Sequence, residues 1–297
     1  MITLVRPEGP RPEDFAHTRR GLAGLFFAGY AAAAVSARAE PITTDSADLA
    51  TGEVMIPVEG GQMPAYLARP DGPGKFGAIV VVSEVFGVHK YIRDICRRLA
   101  KAGYVAIAPA FFFRAGDPAP LTDFAAISRI VSTATNAQVE SDIAATLDWL
   151  VRQPFADRRR LGITGFCWGG AAVWMSAARF RQLKAGVAWY GRLSAPPADP
   201  GQAPEQRPWP LDIVRDLRAP VLGLYAGKDR GIPVSDVGKM REALADRRKK
   251  GELIVYPDAQ HGFHADYRES YDQAAAEDGW ARMIAWFNTH GVAPGAR

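Results

Sequence analysis

Apolar residues fall into short continuous runs, and between these lie stretches of helical period. Runs of Val, Ile, Leu and Ala at Ala78–Ser83, Val105–Ala108, Leu161–Thr164, Gly186–Tyr190, Val221–Tyr225 and Leu253–Tyr256 carry no polar alternation. Strands of this kind are buried on both faces of a parallel sheet. Upstream, Glu53–Val58 and Ala65–Ala68 flank Glu59-Gly60-Gly61-Gln62, a turn signal that predicts an antiparallel hairpin. Helical period appears at Tyr91–Ala102, Val139–Leu150, Trp168–Phe180, Val234–Leu244 and Tyr271–Thr289. Strand and helix in turn predict a doubly wound α/β fold: one domain over residues 40–297, mostly parallel, opened by the hairpin. The proline-rich stretch Leu193–Pro210 lacks periodicity and reads as an excursion, a candidate lid.

Residues 1–39 follow a different pattern. Arg19-Arg20 precedes an uncharged run from Gly21 to Ala37, and Ala37-Arg38-Ala39 ends it. Charged start, apolar middle and A-x-A site predict a twin-arginine-like export signal, with a cytoplasmic chain bearing an N-terminal helix as the alternative. The run is about 17 residues, short of the roughly 20 that span a bilayer, so no stable membrane anchor is expected.

Composition narrows the function. With 48% hydrophobic residues over 297 positions the chain can fill a large core. The net charge of +4 is dispersed, and runs such as Arg158–Arg160 and Arg247–Lys250 read as solvated surface, so nucleic acid is not an expected partner. Two cysteines and five histidines form no zinc pattern; His261 and His264 have metal-pair spacing but lack a third ligand. There is no G-x-G-x-x-G fingerprint and no P-loop, and no cofactor is expected. The oligomeric state is left open.

The chemistry concentrates where strands end. Leu161–Thr164 runs into Gly165-Phe166-Cys167-Trp168-Gly169-Gly170 and then a helix, which is G-x-C-x-G at a strand-to-helix junction. Such an elbow lifts a nucleophile above the sheet, here a cysteine at a helix N-terminus that favours its thiolate. Asp229 follows the run Val221–Tyr225, and His261 follows Leu253–Tyr256, 62 residues after the cysteine and 32 after the aspartate. In that order His261 would take the thiol proton and Asp229 would fix the imidazole. Cys96, amid helical surroundings, reads as structural.

These motifs, with Val82-Ser83-Glu84-Val85-Phe86-Gly87, Leu224–Asp229, His261-Gly262-Phe263 and Ala274–Trp280, resemble the dienelactone hydrolase family. The resemblance covers about residues 50–290. It implies an α/β-hydrolase fold and cleavage of a lactone or small ester through a thioester. It further implies that Glu84 holds the resting thiol and that the Val85 and Trp168 amides form the oxyanion hole. On the substrate side it implies a carboxylate held by Arg114, since the family's second arginine position is Ala265 and the nearest arginine is Arg268. Phe111–Phe113 and Trp209 would rim the pocket. The competing readings are a redox-active thiol and a binding protein on the same scaffold.

Overall fold

The computed structural model describes residues 41–196 and 207–295, so the expected export signal and the middle of the Leu193–Pro210 excursion lie outside the described residues. Eight strands form one sheet: β1 (Leu49–Val58), β2 (Gly61–Pro70), β3 (Phe76–Val82), β4 (Val105–Pro109), β5 (Ala156–Phe166), β6 (Leu183–Trp189), β7 (Val221–Ala226) and β8 (Gly251–Tyr256). Their spatial order is β1-β2-β4-β3-β5-β6-β7-β8. β2 is antiparallel to both neighbours, and every pair from β4 to β8 is parallel. Every residue of β3, β4 and β7 is buried, which is why these strands read as unbroken apolar runs.

Six α-helices cover the sheet among the described residues: α1 (Lys90–Lys101), α2 (Phe124–Val131), α3 (Asn136–Val151), α4 (Trp168–Arg179), α5 (Val234–Asp246) and α6 (Gln273–Thr289). Among the described residues no helix is long and apolar enough to cross a membrane. The helix α2, absent from the sequence reading, has only eight residues; Asp123 caps it by accepting the amides of Ala125 and Ala126, both at 3.1 Å. A 3₁₀ helix at Pro210–Asp216, likewise unread, closes the Pro-rich excursion. β5 starts five residues before Leu161, taking in Arg158–Arg160; Asp157 holds Arg160 Nε at 2.9 Å there.

The chain before β1 is fastened to α1. The Thr44 amide donates to Asp94 Oδ1 at 2.6 Å, and Arg97 Nε donates to the Thr44 carbonyl at 2.7 Å. Cys96, on the same helix, is fully buried, and that burial pushes its thiol well above the usual range.

The strand order changes direction at β3, between β4 on one side and β5 on the other. In open α/β sheets ligands bind at the carboxyl ends beside such a switch point. That is where the candidate residues fall.

Candidate active site

β3 leads into Ser83-Glu84-Val85, β5 into Cys167, β7 into the turn holding Asp229 and β8 into the loop holding His261. Cys167 joins β5 to α4 with φ +58° and ψ −116°, a conformation side chains rarely adopt. Its amide donates to the Trp189 carbonyl at 3.0 Å. Two glycines make the turn sterically possible. A Cβ at Gly165 would lie 2.3 Å from the Gly169 carbonyl oxygen, and one at Gly169 would lie 2.4 Å from that of Val82. Trp168 is the first residue of α4, so its amide has no partner within the helix, and Val85 sits just beyond β3.

His261 Nδ1 lies 2.6 Å from Asp229 Oδ2. The other oxygen, Asp229 Oδ1, accepts the amides of Gly231 at 2.8 Å and Ile232 at 3.1 Å. One carboxylate thus caps its own turn and orients the imidazole. Cys167 interacts with the same ring through charge and a hydrogen bond. Burial acts to lower the His261 pKa, but the charges of Asp229 and Cys167 and the hydrogen bonds to both outweigh it and raise it to about 9. Cys167 is 1% exposed and His261 6%, so the couple works almost out of contact with bulk water.

Glu84 is completely buried, and its oxygens are directed at a cluster that the sequence did not reveal. Arg268 Nη2 donates to Oε1 at 3.0 Å, Tyr267 Oη donates to Oε2 at 2.7 Å, and His89 Nε2 lies 3.3 Å from Oε2. Burial would raise the carboxyl pKa, yet Arg268, then His89 and Tyr267, bring it down to about 2. Glu84 is therefore a carboxylate seated on a guanidinium, and its hydrogen bonds go to this cluster and not to Cys167. His89 and Tyr267 belong to no periodic pattern. Their one sequence signal is proximity, five residues after Glu84 and six after His261.

Arg114 is not brought into this constellation. Its guanidinium is bidentate on Asp142, Nη1 to Oδ2 at 2.8 Å and Nη2 to Oδ1 at 2.9 Å, and Nε donates to the Glu59 carbonyl at 3.0 Å. The physical reason is a nearly inaccessible carboxylate, since the Asp142 side chain is 1% exposed and needs a cation. Arg268, by contrast, is 5% exposed, and its charge is felt by Glu84 and Tyr190. Arg114→Ala is thus expected to act on stability. Breaking a buried pair costs about 3 to 5 kcal/mol, and the partial exposure of Arg114 moves the expectation to about 2 kcal/mol. Thermal melts should show that loss while kcat/KM changes equally for charged and neutral esters; selective loss on carboxylate-bearing substrates would return Arg114 to the site.

The aromatic candidates divide. Phe111 and Phe112 are core, packed against Trp168 at centroid distances of 6.1 and 5.0 Å. Phe113 carries the Arg114 guanidinium 4.5 Å above its ring. Trp209, with Trp168, Met175 and Arg192, lines a largely apolar cavity of about 50 Å³. His264 is no companion ligand to His261: it hydrogen-bonds Tyr91 Oη at 2.6 Å, and burial, aided by Arg98, lowers its pKa to about 3. Among the described residues no three His, Cys, Asp or Glu side chains are grouped to hold a metal.

Eight strands with one antiparallel hairpin, a cysteine on a strained strand-to-helix turn, and an acid and histidine after later strands define an α/β-hydrolase fold. Residues 63–291 match the model of the dienelactone hydrolase family, and the chain belongs to that family. A protein of Methylorubrum extorquens (strain AM1) named "Putative carboxymethylenebutenolidase" is 49% identical over 254 residues, 85% of each chain. One of the same name from Escherichia coli (strain K12) is 48% identical over 267 residues, 89% of this chain and 96% of its own. A dienelactone hydrolase-type crystal structure from Klebsiella pneumoniae subsp. pneumoniae MGH 78578 superposes with a TM-score of 0.74 at 48% identity, covering 81% of this chain and 98% of that one.

Proposed function

We propose that this hydrolase opens a lactone or small carboxylic ester by attack of Cys167 on the acyl carbon, through a thioester. The observation that supports this most directly is the Cys167–His261–Asp229 arrangement at the strand ends, with His261 held through Nδ1 and its other nitrogen left for the thiol. The proton of the couple rests on His261, whose pKa is raised to about 9; the Cys167 sulfur forms the C–S bond; the C–O bond breaks and the leaving oxygen takes the proton from His261. Water, activated by the same imidazole, then hydrolyses the thioester. Developing charge on the carbonyl oxygen falls to the amides of Val85 and Trp168. The name shared by the curated relatives and the buried Arg268 both favour a lactone bearing a carboxylate. Entry of that anion beside Arg268 would compete with Glu84 for the guanidinium. An export signal at residues 1–39 is part of the same proposal, tested by the N-terminus of the protein isolated from its host.

The intermediate gives the test. Rapid quenching with a slow aryl ester should yield protein heavier by one acyl group, located on the peptide that contains Cys167 and released by hydroxylamine. Steady turnover with no acyl adduct on Cys167 at any time point would overturn the proposal.

A further inference from the structure

We infer that the Tyr190 hydroxyl is a catalytic donor that hydrogen-bonds the leaving-group oxygen as the ester C–O bond breaks, an assignment that rests on the acyl-transfer reading above. Tyr190 is fully buried, and its hydroxyl oxygen has no hydrogen-bond partner among the described residues. A buried hydroxyl left in that state is disfavoured unless something outside the protein uses it. The surroundings indicate what. The Tyr190 ring stands edge-on to the His261 imidazole, centroids 5.1 Å apart, and it lies in the fields of Glu84, Arg268, Tyr267 and Cys167.

The backbone adds an independent observation. Four described non-glycine residues have positive φ, and Asp48 and Arg248 are exposed. The two buried ones are Cys167 and Tyr190, the latter at φ +38°. A bulky aromatic side chain in that region is rare, and it persists where the surrounding structure imposes it at a working site. The imposing contacts are visible. The Tyr190 amide donates to Leu224 O at 2.7 Å, and the Trp189 carbonyl before it accepts the Cys167 amide. The nucleophile turn and the tyrosine turn are thus hydrogen-bonded to each other.

Topology selects the atom served. The carbonyl oxygen is expected to meet the amides of Val85, after β3, and Trp168, at the start of α4. Tyr190 and His261 follow β6 and β8, which lie on the opposite side of β5 from β3. The leaving oxygen must face His261 to be protonated, so it faces Tyr190 as well. Tyr190 keeps its own proton throughout: the bond electrons pass to the leaving oxygen, His261 supplies the proton, and the phenol only hydrogen-bonds. Burial first, and the Glu84 charge second, hold that phenol protonated far above the usual tyrosine range.

The test is Tyr190→Phe measured on aryl acetates graded from good to poor leaving phenols. Because kcat/KM reports the steps through leaving-group departure, the variant should lose about tenfold on activated esters and about a hundredfold on poor ones. Its Tm should be unchanged or higher, since an unpartnered hydroxyl has been removed. Incorporation of 2,3-difluorotyrosine at position 190, a stronger donor of the same shape, should flatten the leaving-group dependence. A uniform loss across the series with a lowered Tm would make Tyr190 structural and overturn the assignment. So would unchanged kinetics, or a rise in KM confined to carboxylate-bearing lactones. Cys167→Ala run beside it separates the two readings: hydrolysis surviving that substitution would fault the nucleophile, not the tyrosine.

Discussion

Cys167→Ala should reduce ester hydrolysis to the uncatalysed background, a loss on the order of 10⁶-fold, because a nucleophile and its base act as a unit. Alanine is no worse than cysteine at φ +58°, so the fold and its melting temperature should be retained. Cys167→Ser should be crippled as well. A hydroxyl ionises far less readily than a thiol and would have to give up its proton to the same imidazole. Initial rates on a p-nitrophenyl ester and on a lactone decide the matter, and an alanine variant keeping most of its activity would remove Cys167 from the mechanism.

Asp229→Asn should cost about 10⁴-fold in kcat, because the amide can reverse the imidazole tautomer while leaving the turn intact. The carbonyl oxygen of the introduced side chain can keep the amides of Gly231 and Ile232, and its NH₂ group then faces His261 Nδ1. Nε2 would carry the proton and could not accept one from the thiol. The pH profile should change in parallel. With the folded pKa of His261 raised to about 9, wild-type activity is present below that pH and declines as pH rises through it, when the proton destined for the leaving oxygen is lost. Removing the Asp229 charge leaves burial dominant and should shift this alkaline limb to lower pH. A variant within tenfold of the wild type, with its limb in place, would show that Asp229 only builds the turn.

What the sequence disclosed and what it concealed differ in range. Parallel strands announce themselves because burial on both faces excludes polar residues, and the Cys167 elbow announces itself because Gly165 and Gly169 are demanded by close contacts at the turn, Gly165 against Gly169 itself. Asp229 and His261 are legible as polar residues directly after such strands. The pairings that sort the charged residues are not local. Arg114 is claimed by Asp142, 28 positions away, and Arg268 by Glu84, 184 positions away. No periodicity carries either partner. The same limit hid Tyr190, whose place follows from the Leu224 carbonyl 34 residues later and not from its neighbours. The helix α2 escaped for a simpler reason, since eight residues give barely two turns of pattern.

The near-complete enclosure of Cys167 bears on its fate under oxidative stress. Thiolates climb to sulfenic and then irreversible sulfinic acid when peroxide reaches them, and redox sensors keep such sulfurs open to solvent, often beside a resolving thiol. Here the sulfur's residue is 1% exposed, and the chain's other cysteine, Cys96, is fully buried in α1 with its thiol held protonated. A site that admits an ester also admits peroxide, so the enclosure slows this oxidation without preventing it, and with Cys96 buried in α1 the chain offers no resolving thiol to trap the sulfenic acid as a disulfide.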